Sequence, residues 1–265
     1  MIKLLISDLD DTLYDWTGFF VPAFYAMADE IARMTGIDEK KLLNEYMAAH
    51  QRLGSVEYPY ATLELPSIKA YYNNAPAEEL KAALRPAFNV FNSVRESHLH
   101  LLPGVEEMLR ALTEMGVTLI AYTESSKENG FYRLMKLGIE PYFKHVYTFE
   151  SQFKSAYAVS EKVRTVQTKK PDVAVIGRIC TGEGYDKSEV MYLGDNLTKD
   201  MYMAKMAGVT AVWMHRKCEN EDYKNKLLAI TSWTAAEYAR DVELRQYMQQ
   251  HGISDARELI AIAAK

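Results

Sequence analysis

The spacing of hydrophobic positions changes along the chain and predicts two kinds of structure. Residues 2–6 form a short apolar run that leads into an acidic stretch, a pattern typical of a strand buried on both faces. Further on, apolar residues recur at steps of three and four, which predicts a helix that ends at Gly36 and a second that ends at Gly54. Residues 77–98 repeat the helical spacing. We therefore expect residues 16–100 to form an inserted, almost wholly helical domain.

After residue 100, strand patterns alternate with helix patterns. The predicted strands are 117–122, 146–149, 190–193, 209–214 and an edge strand at 228–230. The predicted helices are 105–115, one ending near Leu137, 155–168, one opening at Pro171, one ending near Ala207, 234–249 and 254–264. This alternation predicts an α/β fold, a Rossmann-like parallel sheet flanked by helices. Residues 1–15 and 101–240 are expected to form this core, and residues 241–265 a C-terminal helical extension.

The composition narrows the possible partners. The 265 residues include 31 Lys+Arg and 36 Asp+Glu, the net charge is −5 and 48% are hydrophobic, as in soluble globular proteins. Without basic clusters, nucleic acid is not expected as a partner, and no apolar run reaches the roughly 18–20 residues that span a bilayer. The N-terminal apolar stretch is too short for a secretory signal, so we expect a cytoplasmic protein with no membrane partner. The sequence does not indicate the oligomeric state.

Polar side chains follow three of the predicted strands. Asp8 and Asp10 follow the first strand, and Thr123 and Asp195 each follow a later one. In a parallel sheet, the carboxyl ends of the strands form the edge at which ligands bind. A single Asp after a strand is most often a helix N-cap or a loop residue in solvent, but three polar strand ends at one edge favour a shared site.

These residue types suit a metal ion and a phosphate group. Two carboxylates about 4 Å apart repel each other by roughly 4 kcal/mol at an effective dielectric constant of about 20, so a cluster of Asp8, Asp10 and Asp195 favours protonation or a bound cation. Carboxylate oxygens without His or Cys suit Mg²⁺, which in turn binds substrate phosphates. The Thr123 hydroxyl, backbone N–H groups at the start of the next helix and the basic pair 169–170 would supply donors and positive charge for a phosphoryl group.

Four segments, taken in order, resemble the motifs of the haloacid dehalogenase-like (HAD) hydrolase superfamily. Residues 8–12, Asp-Leu-Asp-Asp-Thr, resemble the first motif, DxDxT, and Thr123 resembles the Ser or Thr of the second. Lys170 resembles the Lys of the third motif, and residues 194–200 match the fourth, GDxxxxD. Each motif is weak alone, whereas all four in this order are a strong signal. The resemblance extends from residue 1 to about residue 240.

The resemblance implies a catalytic role for each of these residues. Asp8 would be the nucleophile that attacks phosphorus and forms an aspartyl phosphate. Asp10 would protonate the leaving oxygen and then activate water. Thr123 and Lys170 would hold the transferring phosphoryl group. Glu124 stands where many members of the family carry Asn, and we expect it to contact the substrate through its backbone N–H and to turn its side chain away.

The resemblance also implies a metal site and a cap. Mg²⁺ would be bound by the side chains of Asp8 and Asp195 and by the backbone carbonyl of Asp10. Asp200 would orient Lys170 or a water bound to the metal. The inserted helical segment is similar to the C1 cap of the family, which closes over the site and selects the leaving group.

The third motif has alternatives in this chain. Lys170 fits best, but Lys154, Lys169 and Lys187 compete with it for the same role. The pair at 169–170 is also consistent with two exposed charges at the start of a helix.

The resemblance implies a Mg²⁺-dependent phosphatase that hydrolyses a small-molecule phosphate ester through an aspartyl-phosphate intermediate. A phosphomutase similar to β-phosphoglucomutase would use the same residues. A haloacid dehalogenase is less favoured, because cleavage of a carbon–halogen bond needs neither the second Asp nor a metal. A phospho-acceptor module without turnover, as in receiver domains, is also less favoured because such domains are about half this length. The sequence does not identify the substrate.

Overall fold

The computed structural model of the protein describes residues 1–58, 60–150, 160–215, 220–231, 235–248 and 252–265. These residues divide into two compact units. The core unit comprises Met1–Asp15, His100–Cys218 and Ala239–Lys265, and the helical unit comprises Trp16–Leu99 and Glu219–Tyr238. The helical unit thus takes in a second segment that the sequence analysis assigned to the core. The functional division into core, cap and extension stays a prediction.

Among the described residues, six strands form one parallel sheet in the core unit. They are β1 Leu4–Ser7, β2 Thr118–Ser126, β3 His145–Phe149, β4 Val163–Val166, β5 Val190–Gly194 and β6 Thr210–Trp213. Their order across the sheet is β4-β3-β2-β1-β5-β6, so β1 lies between β2 and β5. The predicted α/β, Rossmann-like fold is confirmed.

The helices, in chain order, are α1 Trp16–Thr35, α2 Glu39–Leu53, α3 Pro66–Tyr71, α4 Ala77–Ala83, α5 Arg85–His98, α6 Val105–Glu114, α7 Lys127–Lys136, α8 Val173–Glu183, α9 Tyr202–Ala207, α10 Glu221–Leu228, α11 Ala235–Met248 and α12 Glu258–Ala263. Short 3₁₀ turns span Ala61–Glu64, Glu140–Tyr142 and Lys187–Glu189, and a π-helical turn spans Leu197–Met201. Helices α1 to α5 and α10 belong to the helical unit. None of the described helices combines the length and hydropathy needed to cross a membrane.

The central strands are buried because their side chains are apolar on both faces. Every residue of β1 and β5 is buried. Leu4, Ile6 and Tyr192 share one hydrophobic cluster with Ile176 of α8 and Met203 of α9, so these two helices cover one face of the sheet. Full burial of a Leu or Ile side chain contributes roughly 1.5–3 kcal/mol to stability. This packing fixes the strand ends at which the polar residues lie.

Two predicted elements are wrong where the structure describes them. The helix predicted at 155–168 is instead the strand β4 over Val163–Val166, and residues 155–159 lie outside the described residues. β4 is an edge strand in which only Val166 is buried, so it lacks the apolar run of an inner strand. The edge strand predicted at 228–230 does not form, because Leu228 ends α10 and Ile230 is buried within the helical unit.

The helical unit is organised around α1, which packs against α2, α5 and α10. The ring of Phe24 lies 4.8 Å from the ring of Tyr46 in a T-shaped arrangement. His50 extends this aromatic cluster, and its Nδ1 donates to the carbonyl oxygen of Ile230 at 2.6 Å. Because Gly54 adopts a left-handed conformation at φ 67°, it ends α2 as the sequence predicts.

Acidification is expected to destabilise the fold through His50. Burial lowers the pKa of His50, and the hydrogen bond to Ile230 opposes this effect less strongly. The unfolded chain therefore binds a proton at a pH at which folded His50 is still neutral. The contribution of His50 to the free energy of unfolding is complete above the ordinary pKa of about 6.5 and is lost as the pH falls towards the pKa of folded His50. Because a single proton is involved, the free energy of unfolding changes by at most about 1.4 kcal/mol per pH unit through His50.

Urea denaturation followed by circular dichroism between about pH 7.5 and about pH 5.5 measures this slope. His50→Gln retains an N–H donor but does not titrate, and we expect it to flatten the slope. His98→Gln, at an exposed position on α5, is the matched control and should keep the slope of the wild type. An identical slope in His50→Gln and the wild type would contradict the assignment.

Candidate active site

The site lies at the carboxyl edge of the sheet, where β1, β2 and β5 end side by side. Ser7, the last residue of β1, pairs with residues of both neighbouring strands. The next residue, Asp8, donates its backbone N–H to the carbonyl oxygen of Leu193 at 2.8 Å. Thr123 lies in the last part of β2, and Asp195 directly follows β5. The structure therefore brings these predicted residues to one edge of the sheet.

Lys170 is at the buried centre of the site. Its Nζ donates to Oδ1 of Asp8 at 2.5 Å and to Oδ1 of Asp200 at 2.8 Å. The side chain is only 2% exposed. The ring centroids of Tyr122 and Tyr192 lie 4.9 Å and 5.7 Å from Nζ, where aromatic faces attract a cation. The ammonium is thus enclosed by two carboxylates and two aromatic rings.

The charges of this cluster are not balanced by Lys170 alone. Burial opposes the charged form of Lys170, but Asp200 and Asp8 outweigh it, so the pKa of Lys170 lies well above its usual value. Burial raises the pKa of Asp8 to about 8; Lys170 opposes this increase, and the negative charges of Asp200 and Asp10 add to it. The raised pKa of Asp8 reflects its burial first and the neighbouring negative charges second, and a bound cation would favour the ionised form against both.

Asp200 is fixed by contacts on both carboxylate oxygens. Its Oδ1 accepts a hydrogen bond from the hydroxyl of Tyr192 at 2.8 Å, in addition to the one from Lys170, and its Oδ2 accepts from the backbone N–H of Asn196 at 3.2 Å. Gly194 makes this position possible, because a Cβ there would lie 2.6 Å from Cβ and Cγ of Asp200. The turn after β5 therefore depends on the absence of a side chain at Gly194.

Three carboxylates of the site fit a divalent cation. Oxygen atoms of Asp8, Asp195 and Asp200 all lie within 4.8 Å of one another. An all-oxygen donor set of this kind suits Mg²⁺ rather than a metal that prefers nitrogen or sulfur. The sequence predicts Asp8, Asp10 and Asp195 as metal ligands. In the structure, the third carboxylate close to those of Asp8 and Asp195 belongs to Asp200. A contribution from the backbone carbonyl of Asp10 stays a prediction.

The carboxylate of Asp10 is held by a different set of hydrogen bonds. The hydroxyl of Tyr14 donates to Oδ1 at 2.7 Å, and Nη1 of Arg133 donates to the same oxygen at 2.9 Å. The hydroxyls of Ser125 and Thr123 donate to Oδ2 at 2.8 Å and 3.4 Å. Asp8 and Asp10, two residues apart, therefore have separate partners.

Arg133 is a residue of this site that the sequence analysis did not identify. It lies on α7, and a Cβ at Gly130 on the same helix would be 3.1 Å from Cγ2 of Thr123, so the helix approaches β2 closely. Gly130, Arg133 and Leu134 are all buried, which places an arginine on the inner face of the helix. Arg133 and Leu134 follow Gly130 at steps of three and four residues, so helical spacing in the sequence could have placed Arg133 on the inner face.

The side chain of Glu124 points to a lysine of the neighbouring loop. Its Oε2 accepts a hydrogen bond from Nζ of Lys199 at 2.5 Å. The acidic side chain next to Thr123 is thereby paired with a positive charge. Substrate contact through the backbone N–H of Glu124 stays a prediction.

The competing lysines have other surroundings. Nζ of Lys169 lies 5.5 Å from the ring centroid of Phe149, and the residue is exposed. Lys187 is exposed and lies just before β5, at the opposite end of that strand from the site. Lys154 lies outside the described residues. Of the candidates that the structure describes, Lys170 is the one that contacts Asp8.

Comparison with known proteins places these features in a family. The chain matches the family model of haloacid dehalogenase-like hydrolases over residues 5–214. A relative from Pyrococcus abyssi, named glyceraldehyde 3-phosphate phosphatase, is 27% identical over 80% of this chain and 81% of that protein. A relative from Thermus thermophilus, named phosphoserine phosphatase, is 24% identical over 83% of this chain and 92% of that protein. The crystal structure of a HAD phosphatase from Thermococcus onnurineus shares the fold, with a TM-score of 0.54 and 20% identity over 83% of this chain and 89% of that one.

The matched region contains all four segments that resemble the family motifs, from Asp8 to Asp200, together with the inserted helices between the first and second motifs. The chain belongs to the haloacid dehalogenase-like hydrolase family.

Proposed function

We propose that the protein is a Mg²⁺-dependent phosphatase that hydrolyses a small phosphorylated metabolite through an aspartyl-phosphate intermediate. The observation that carries this proposal is the placement of Asp8. Its carboxylate is bound by Lys170 at 2.5 Å and shares a group of acidic side chains with Asp195 and Asp200 at the end of a central strand. Such an arrangement combines a nucleophile, a fixed positive charge and a set of ligands for a hard cation.

The named relatives suggest which substrates to test first. Relatives from Pyrococcus abyssi and Thermus thermophilus are named as phosphatases of glyceraldehyde 3-phosphate and of phosphoserine. Both compounds are small phosphate monoesters. We therefore propose a substrate of this class.

In the first step, a carboxylate oxygen of Asp8 forms a bond to phosphorus while the ester P–O bond breaks. The leaving oxygen takes a proton from Asp10, and the free alcohol is released. Lys170 and Thr123 hold the oxygens of the phosphoryl group, and the ammonium offsets the negative charge that gathers around Asp8.

In the second step, water attacks phosphorus and gives a proton to Asp10. The bond between phosphorus and Asp8 breaks, orthophosphate leaves, and both Asp8 and Asp10 return to their initial states. Asp10 therefore has to face the leaving oxygen first and the attacking water afterwards.

The proposed metal ligands are Asp8, Asp195 and the backbone carbonyl of Asp10, and the adjoining carboxylate of Asp200 orients Lys170. When bound, Mg²⁺ supplies positive charge to the phosphoryl oxygens and helps to align the group for in-line transfer.

We further propose that the inserted helices at 16–100 serve as the cap that selects the leaving group. The segment 16–100 leaves and re-enters the core unit at one place, where Asp15 donates its backbone N–H to the carbonyl oxygen of His100 at 3.3 Å and Tyr14 pairs with Leu101. Two paired connections of this kind are compatible with a domain that moves as one piece.

Asp8→Asn is expected to reduce kcat by at least about 1,000-fold, because an amide is a poor nucleophile. Release of inorganic phosphate from glyceraldehyde 3-phosphate, O-phosphoserine and a set of sugar phosphates is the measurement. Asp38→Asn makes the same chemical change at the N-cap of α2, where Asn also caps, and should keep wild-type activity. Undiminished turnover by Asp8→Asn would exclude Asp8 as the nucleophile. Formation of a phosphorylated isomer without inorganic phosphate would favour the phosphomutase instead.

Neighbouring lysines allow a matched test of the third motif. Lys170→Met should lower kcat/KM by at least about 100-fold, because it removes the positive charge beside Asp8 and the phosphoryl group. Lys169→Met removes the same charge from an exposed position and should stay within about twofold of the wild type. Thermal unfolding of both variants shows how much of each loss comes from the fold. Equal losses in the two variants would overturn the assignment of Lys170.

Asp195→Asn is expected to weaken Mg²⁺ binding by at least about tenfold, since it removes one negative ligand of the cation. Isothermal titration of the protein with Mg²⁺ alone measures the affinity without any substrate. The Asp38→Asn protein is again the control and should bind Mg²⁺ like the wild type. Unchanged Mg²⁺ affinity in Asp195→Asn would place the metal elsewhere.

A further inference from the structure

A buried arginine reaches into the site from α7. The side chain of Arg133 is 4% exposed, and its Nη1 donates to Oδ1 of Asp10 at 2.9 Å and contacts Oγ of Ser125 at 3.1 Å. We propose that Arg133 is a positioning residue that fixes the carboxylate of Asp10 for proton transfer. This inference rests on the proposed function, in which Asp10 is the acid and base.

Stability alone does not account for a buried guanidinium at this position. Removing a charged group from water costs several kcal/mol, and replacing a buried ion pair by apolar residues is often neutral or stabilising. The carboxylate that Arg133 binds is not itself part of the core, because the side chain of Asp10 is 25% exposed. The arginine therefore connects the interior of the core unit to a group at the edge of the site.

The contacts of Asp10 determine the orientation of its carboxylate plane. Tyr14 and Arg133 bind Oδ1 from the loop after β1 and from α7, while Ser125 binds Oδ2 from the end of β2. Donors on both oxygens and from three directions leave the side chain little freedom to rotate. Because Arg133 also contacts Ser125, the guanidinium aligns the donor on the opposite oxygen as well.

Proton transfer requires this precision. Asp10 has to reach the leaving oxygen and then a water, and a displacement of about 1 Å in such a group costs about 100-fold in rate. In the observed arrangement both carboxylate oxygens of Asp10 accept hydrogen bonds. During turnover, one of these hydrogen bonds therefore has to break so that the carboxylate can contact the leaving oxygen or the water. The bond from buried Arg133 is the one best suited to persist, whereas a hydroxyl such as that of Ser125 rotates readily.

Direct binding of the phosphoryl group is the other role open to an arginine near such a site. Arg133 is less suited to it, because the whole residue is 3% exposed and its Nη1 is directed at Asp10 and Ser125. The two roles differ in which kinetic constant they affect. Loss of a phosphate ligand raises KM, whereas loss of a positioning residue lowers kcat.

The test uses Arg133→Met in the full chain, with para-nitrophenyl phosphate as substrate and Mg²⁺ present. We expect kcat and KM to fall together by about 30- to 100-fold, so that kcat/KM stays within about threefold of the wild type, because formation of the aspartyl phosphate from this ester does not need Asp10. Stopped-flow absorbance should show a burst of about one para-nitrophenolate per active site before the slow steady state, because this leaving group needs no protonation and the aspartyl phosphate then waits for water activation. A merely structural defect would reduce the size of the burst along with the rate.

Two further variants and a control complete the experiment. In an Asp10→Asn background, Arg133→Met should cause less than about a twofold further loss, because Arg133 acts through Asp10. Arg133→Lys retains the charge and should recover about tenfold of the lost rate. Lys136→Met, an exposed position one turn further along α7, should behave like the wild type.

A loss that is fully additive with Asp10→Asn, an increase in KM at unchanged kcat, or wild-type kinetics in Arg133→Met would each overturn the inference. These outcomes are distinct from failure of the proposed function itself. If the proposed function were wrong, the wild type would release no phosphate from any ester, or Asp8→Asn would turn over as fast as the wild type.

Discussion

The ammonium of Lys170 is the group on which the geometry of the site depends. A buried lysine is strongly unfavourable unless its charge is paired, and Asp8 and Asp200 supply the pairing from two different parts of the chain. Asp8 follows β1, Asp200 lies beyond β5, and Lys170 precedes α8. One set of ion pairs therefore ties three connections of the sheet together. The position of Asp8 is determined by charge balance inside the core unit as much as by its own loop.

Asp8 and Asp10 carry the same functional group in different electrostatic environments. Burial raises the pKa of Asp8 to about 8, with further increases from Asp200 and Asp10. The carboxylate of Asp10, in contrast, is partly exposed and accepts hydrogen bonds from Arg133, Tyr14 and two other hydroxyls. Neighbouring carboxylates in unlike environments are suited to unlike roles. In the proposed reaction Asp8 has to attack as a carboxylate, so its raised pKa makes Lys170 and a bound cation necessary to keep it ionised, whereas the partly exposed Asp10 exchanges protons with the leaving oxygen and then with water.

The strand ends could be predicted from the sequence, because the length of an apolar run determines where β1 ends and parallel pairing then brings Asp8 towards Asp195. The edge strand β4 could not, since only Val166 of its four residues is buried and no apolar run marks it. The contact between Arg133 and Asp10 spans 123 positions. Helical spacing indicates that this arginine faces inward, but no local pattern indicates which carboxylate it meets.

Glu124 shows how an acidic side chain is accommodated next to a proposed phosphate site. It follows Thr123, where many members of the family carry a neutral residue, and its carboxylate binds Nζ of Lys199 at 2.5 Å. Both side chains are partly exposed, so the pair contributes only about 0–1 kcal/mol to stability. Its main effect is on local charge, because the positive charge of Lys199 neutralises the negative charge of Glu124. Lys199 belongs to the segment that also carries Asp195 and Asp200, so the same pair joins the end of β2 to the turn after β5 and removes the repulsion that Glu124 alone would exert on a phosphate ester.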